Sequence, residues 1–301
     1  MLRTARAPRA TAITVALLVA GWVASEPMAV EYSTIERDPK RGTVTNEVSD
    51  PSAARPSDAE DDPGQTGPGG VPGSVPSPSA PFASGFLDSE VQVNGVSRPF
   101  VVYIPLGYSP SRAWPAILFL HGRAESGSDG RRPLTQGLAP AILKRRAAWP
   151  FVVIFPQKSE PEIRWTDEAP MLAAILDAVE ASYHLDPARR YITGLSQGGH
   201  GTLALAMRLP WHFAALATVC GWADDPAAAA AAIGTVPVWA FHGEDDPIVP
   251  VRRSLEVVEA LRRVGGQTRM TRYTAVGHDA WQLAYGNEDL PRWFLSHHRE
   301  R

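Results

Sequence analysis

The chain has 301 residues, 44% of them hydrophobic, enough for one substantial core with further segments outside it. With 29 Lys and Arg against 32 Asp and Glu the net charge is −3, and no basic face large enough to suggest nucleic acid, nor an acidic tail, stands out. The single cysteine, Cys220, excludes an internal disulfide and a thiolate metal cluster, and its place after Ala217, Thr218 and Val219 reads as a buried structural thiol.

Residues 1–25 read as a secretory signal peptide. Arg3, Arg6 and Arg9 form the basic start, residues 12–20 are apolar, and Val23 and Ser25 place cleavage before Glu26. The apolar stretch is short for a spanning helix; an uncleaved anchor is the alternative. No cysteine follows to carry a lipid. Residues 26–80 lack hydrophobic periodicity and are rich in Pro, Gly, Ser and Asp, which predicts a disordered tether. A chain starting near Pro81 is therefore expected to fold and stay active.

Residues 81–301 read as one folded domain. Residues 89–93 and 98–104 alternate polar and apolar around Asn94-Gly95, a hairpin signal. Residues 115–120 and 151–155 are continuous apolar runs, as in strands buried on both faces. Residues 134–146 read as helical. Asp167 reads as an N-cap, with Pro170 in the first turn, and Leu172, Ile175, Leu176, Val179 and Tyr183 recur at helical spacing. A strand at 191–195 leads into a helix over 202–208. Strands over 213–219, 236–241 and 268–273 alternate with helical segments at 227–232, 251–264 and 289–295. This alternation predicts an α/β fold with a mainly parallel, doubly covered sheet, whose chemistry gathers at the strands' C-terminal ends.

The most informative stretch is Gly194-Leu195-Ser196-Gln197-Gly198, a G-x-S-x-G between a strand and a helix. A serine on so sharp a turn needs very small neighbours two residues away, and the following helix N-terminus offers unpaired N–H groups to an oxyanion. A serine hydroxyl needs a base, and the base needs an orienting acid. After a later strand comes His242-Gly243-Glu244-Asp245-Asp246-Pro247, and after the last one Gly277-His278-Asp279. The order Ser, acid, His follows.

On these motifs, with Leu120-His121-Gly122 and Trp281, the chain from about 85 to 300 resembles the α/β-hydrolases. The resemblance is to a secreted branch holding phospholipase/carboxylesterase-type carboxylesterases, feruloyl esterases, polyhydroxybutyrate depolymerases and dienelactone-hydrolase-like proteins. It implies the α/β-hydrolase fold and a Ser196–Asp246–His278 triad, with the acid directly before the proline; Asp245 is the alternative acid. It also implies an oxyanion hole from the N–H groups of Gln197 and Arg123, and a cleft loop at Glu125, Ser126 and Gly127, which otherwise reads as ordinary surface. His121 ends a strand in an HG turn, where ordering a loop fits better than abstracting a proton; His278 is the preferred base.

Trp165, Trp222 and Trp281 each follow a strand near the catalytic edge and read as substrate-binding aromatics, or else as core packing or loop anchors. No metal-ligand spacing is present, and no cofactor is expected. The expected activity is carboxylic ester hydrolysis through an acyl-enzyme. Peptide hydrolysis by the same fold and non-catalytic ligand binding are the rivals. Expected partners are a small or polymeric ester, with no nucleic acid and no membrane span in the mature chain.

Overall fold

The computed structural model describes residues 32–35, 84–206, 208 and 212–299. The predicted signal peptide and nearly all of the predicted tether lie outside the described residues. Within the tether, Tyr32–Ile35 (β1) is described as a short strand. The hairpin is Gly85–Val93 (β2) and Val96–Ile104 (β3), and both Asn94 and Gly95 take positive φ, 52° and 78°. Two such residues form the turn whose twist matches the strands.

The remaining strands are Trp114–Leu120 (β4), Val152–Pro156 (β5), Leu185–Leu195 (β6), Ala215–Val219 (β7), Val238–Gly243 (β8) and Thr268–Tyr273 (β9). They form a sheet ordered β1-β9-β8-β7-β6-β4-β5-β3-β2. Only the β2–β3 and β3–β5 pairs are antiparallel. The helices are Leu138–Lys144 (α1), Ala169–Ser182 (α2), Gln197–Leu205 (α3), Pro226–Ile233 (α4), Arg252–Arg263 (α5), Trp281–Gly286 (α6) and Asp289–Ser296 (α7).

Strand β4 lies inside the sheet, and its seven residues are all buried. Its side chains alternate between two cores. Leu118 and Leu120 join Leu172, Ile175 and Leu176 of α2 and Leu261 of α5. Ile117 and Phe119 join Leu138 and Ile142 of α1 and Leu290 and Phe294 of α7. Each fully buried side chain of this size contributes about 1.5–3 kcal/mol. The unbroken apolar runs in the sequence therefore reflect a sheet covered on both faces.

Some local expectations change. The predicted helix at 134–146 is a 3-10 turn at Arg132–Leu134, then α1, because Gly137 breaks it at φ 71°. Asp167 does not cap α2: its carboxylate accepts from the Arg164 N–H at 3.3 Å, and Glu168 holds the cap position without a side-chain cap bond. Glu168 is instead ion-paired to Arg98 at 2.6 Å. Tyr183 lies just past the end of α2. Helix α6 was not anticipated, being too short at six residues for a periodic pattern. A true cap appears at α4, where Asp225 accepts from the N–H groups of Ala227 and Ala228 at 3.0 Å each.

Candidate active site

The turns leaving β4, β6, β8 and β9 meet at one end of the sheet. Ser196 follows β6 and takes φ 53° and ψ −118°, a strained conformation for a residue with a side chain. The turn is held from both sides: the Ser196 N–H donates to the Val219 carbonyl at 2.8 Å, and its carbonyl accepts from His200 at 3.0 Å. The flanking glycines answer to contact. A Cβ on Gly198 would lie 2.0 Å from the Leu120 carbonyl oxygen, and one on Gly194 would lie 2.4 Å from the Gly198 oxygen. Any side chain at either position would force the turn apart.

His278 Nε2 lies 2.8 Å from Ser196 Oγ, and His278 Nδ1 lies 2.7 Å from Asp246 Oδ2. The other Asp246 oxygen, Oδ1, accepts the N–H groups of Ile248 and Val249, both at 2.9 Å. Burial works to raise the pKa of Asp246, but the bonds from His278, Val249 and Ile248 outweigh it and hold the carboxyl below its ordinary value. Asp246 therefore stays ionised and keeps Nδ1 of His278 as the donor. Nε2 is left free to accept a proton from Ser196. Asp245 is exposed, and Glu244 is taken by Thr274 at 2.9 Å and Arg272 at 3.2 Å. Of the three neighbouring acids, only Asp246 reaches His278.

Behind the acid lies His242, which is fully buried. Its Nε2 is 2.8 Å from the Val249 carbonyl and 3.2 Å from Asp246 Oδ2, and its Nδ1 is 2.7 Å from Ser254 Oγ. Cys220, His242 and Asp246 each bring one ligand atom within 4.8 Å of the others, a cluster that linear spacing did not reveal. Those atoms are engaged in packing the acid: Cys220 Sγ donates to the His278 carbonyl at 3.4 Å, and burial pushes its thiol pKa up.

The HG turn lies against the turn that carries Ser196: a Cβ on Gly122 would come 2.8 Å from the Leu195 side chain. His121 is fully buried there. The Lys158 N–H donates to His121 Nε2 at 3.2 Å, so the ring proton is on Nδ1, which donates to the Gly122 carbonyl at 2.6 Å. Fixing that carbonyl fixes the opposite direction of the Arg123 N–H across the same planar peptide. Gln197 is the first residue of α3, so its N–H has no acceptor four residues back in the helix.

Burial drives the His121 pKa down to about 3, against the Gly122 carbonyl that favours the charged ring. Burial also lowers the pKa values of His200 and His242. The unfolded chain then takes up protons before the folded one. The contribution to stability is complete above about pH 6.5 and is lost as the pH falls toward 3. By pH 4.5 the His121 share of that loss is about 3 kcal/mol. Urea unfolding at pH 7 and 4.5 should show the loss, with a visibly smaller pH difference in His121→Gln. Equal pH differences in the two proteins would refute the assignment.

Of the aromatics read as substrate-binding, Trp165 is fully buried and donates from Nε1 to the His121 carbonyl at 3.1 Å. It also closes on Gly201, where a Cβ would be 2.8 Å from the ring. It anchors the HG turn and presents no surface to the cleft. Trp222 is half-buried, its ring 5.0 Å from that of His200. Trp281 is half-buried, edge-on to the His278 ring at 5.3 Å, and donates to Gln136 Oε1 at 3.1 Å. Sequence reasoning missed Gln136, Ser254 and Lys158. Lys158 carried a signal, being a lysine two residues after a buried strand.

This sheet order, with a serine on the turn after β6 and an acid and a histidine after β8 and β9, is that of the α/β-hydrolase fold. Within it, residues 140–285 match the phospholipase/carboxylesterase family. The chain is 29% identical over 168 residues to NocK, an esterase by its name, from Nocardia uniformis subsp. tsuyamanensis, covering 54% of this chain and 48% of that protein. It is 28% identical over 174 residues to feruloyl esterase C of Emericella nidulans, covering 53% and 58%. The crystal structure of a thermostable esterase aligns with a TM-score of 0.64 at 32% identity, covering 71% of this chain and 63% of that one. The chain thus spans from about half to just under two thirds of the length of these relatives. Among the described residues no helix is long and apolar enough to cross a membrane.

Proposed function

We propose that the chain is a serine hydrolase that cleaves carboxylic esters, with Ser196 as nucleophile, His278 as base and Asp246 as its orienting acid. The observation that carries this reading is the unbroken alignment from Ser196 Oγ to His278 at 2.8 Å and on to Asp246 at 2.7 Å. His278 Nε2 takes the hydroxyl proton as Ser196 attacks the ester carbonyl. The oxyanion is received by the N–H groups of Gln197 and Arg123. His278 then returns the proton to the departing alcohol, leaving an acyl-enzyme, and water repeats the sequence to release the acid. Trp222 and Trp281 border the cleft and serve as candidate walls for the substrate. The names of the relatives support an ester as the bond cleaved. The predicted signal at residues 1–25 supports action outside the cytoplasm.

A fluorophosphonate probe should label the wild-type protein and not Ser196→Ala. A panel of p-nitrophenyl esters, methyl ferulate and a short polyester should show turnover of at least one. Labelling with cleavage of peptide anilides alone would replace the reading by peptidase activity. No labelling at all would leave a binding protein.

A further inference from the structure

Lys158 has no part in the proton relay, yet it is fully buried beside the cleft loops. Its ammonium has three N–H bonds and meets three acceptors: Ser126 Oγ at 2.8 Å, the Glu160 carbonyl at 2.7 Å and the Pro161 carbonyl at 3.2 Å. Two of these lead to the two proposed oxyanion donors. Ser126 Oγ donates onward to the Arg123 carbonyl at 2.9 Å. The Pro161 carbonyl also accepts from Gln197 Nε2 at 3.1 Å. One buried cation therefore ties the loop carrying Arg123 to the loop that holds Gln197.

We propose that Lys158 is a positioning residue for the oxyanion hole, and that it holds both halves in place only while its amine is protonated. This rests on the function proposed above. The reason is a count of hydrogens. With three N–H bonds, Lys158 serves all three acceptors and leaves the Ser126 hydroxyl free to donate to Arg123. A neutral amine has two N–H bonds and a lone pair. One of the three ties must then go: the amine lets go of the Glu160 or the Pro161 carbonyl, the latter keeping only Gln197 Nε2 as donor, or Ser126 turns its proton to Nζ and releases the Arg123 carbonyl. Loss of the Pro161 tie cuts Lys158 from the Gln197 side, and loss of the Ser126 proton cuts the Arg123 side, so the neutral amine cannot be relied on to hold both halves.

The change falls in a measurable range. Burial pushes the Lys158 pKa down to about 8. Glu168, Glu162 and Glu125 face it and favour the charge, and Arg123 opposes it. The His121 ring accepts the Lys158 backbone N–H, and the Lys158 charge adds to what keeps that ring neutral. Because its folded pKa is depressed, raising the pH from about 8 toward 10.5 relieves the cost of burying the charge. A fall in activity over that range through Lys158 is thus not a loss of fold stability from the same group.

The test measures kcat/KM on p-nitrophenyl butyrate from pH 7 to 10, beside the 13Cε shift of Lys158 on the wild-type protein. Lys40, Lys144 and Lys158 are the only lysines in the chain, so Lys158→Met assigns the signal by its absence. The expected result is an alkaline fall in kcat/KM whose midpoint coincides with the lysine titration near pH 8. Lys158→Met should lose roughly tenfold to a hundredfold in kcat at pH 7 with little change in KM and no alkaline fall. Lys158→Arg, which stays charged, should carry the plateau beyond pH 10. Activity that stays flat while Lys158 deprotonates, a lysine titrating near its free value, or an alkaline fall that persists in Lys158→Met would each overturn the proposal. The rate of fluorophosphonate labelling of Ser196 uses the same two donors and needs no ester turnover. If no ester is cleaved but labelling follows the Lys158 titration, the substrate reading fails and the role of Lys158 stands.

Discussion

Replacing Ser196 by alanine is expected to lower kcat by about five to six orders of magnitude while leaving the fold unchanged. In the proposed mechanism the Ser196 hydroxyl, 2.8 Å from His278 Nε2, forms the acyl bond, and alanine offers no oxygen in its place. His278→Ala should cost nearly as much, and the double variant little more than either single one, because the groups act in one proton transfer. Steady-state kinetics on the best ester of the panel, with circular dichroism to verify folding, reads this directly. Residual activity within tenfold of wild type in Ser196→Ala would end the proposed mechanism. Additive losses in the double variant would show that His278 and Ser196 work in separate steps.

Asp246→Asn should lower kcat by about three to four orders of magnitude, against at most about twofold for Asp245→Asn. The difference follows from what Asp246 accepts. Its Oδ1 takes two backbone N–H groups and its Oδ2 takes the His278 Nδ1 proton. An amide keeps one oxygen for the backbone donors and turns its NH2 toward His278. Nδ1 must then accept, which moves the ring proton to Nε2, facing Ser196, where it blocks proton abstraction. Asp245 is exposed and does not touch the ring, so the same substitution there changes only a surface charge. A large loss in Asp245→Asn with a small one in Asp246→Asn would transfer the acid role to the neighbouring residue.

The parts of the site legible in the sequence are those where chemistry and backbone geometry coincide. Gly194 and Gly198 flank Ser196 because carbonyl oxygens occupy the space a side chain would need, so contact geometry left a trace in composition. The unbroken apolar runs of β4 and β5 report burial on two faces. What the sequence does not show is which residues become neighbours across long separations. Lys158 meets Ser126 from 32 positions away, and Trp281 meets Gln136 from 145. No local period encodes either pair. Trp165 illustrates the converse. Its position after a strand suits a substrate wall, but its depth is set by Gly201, whose missing side chain admits the ring. Asp167 failed as a helix cap for a similar reason. Its carboxylate found the Arg164 N–H in the preceding turn, and composition alone could not rank the two partners.

The lone sulfhydryl has a practical side. Cys220 is fully buried, donates to the His278 carbonyl, and is held protonated by its surroundings. Thiol reagents act on the exposed thiolate, so the folded protein presents them with no competing target. A single cysteine introduced on the surface would carry a dye, spin label or surface tether at one known address. The exposed residue Ile248, two positions from Asp246 and 68% accessible, would put such a reporter close to that carboxylate.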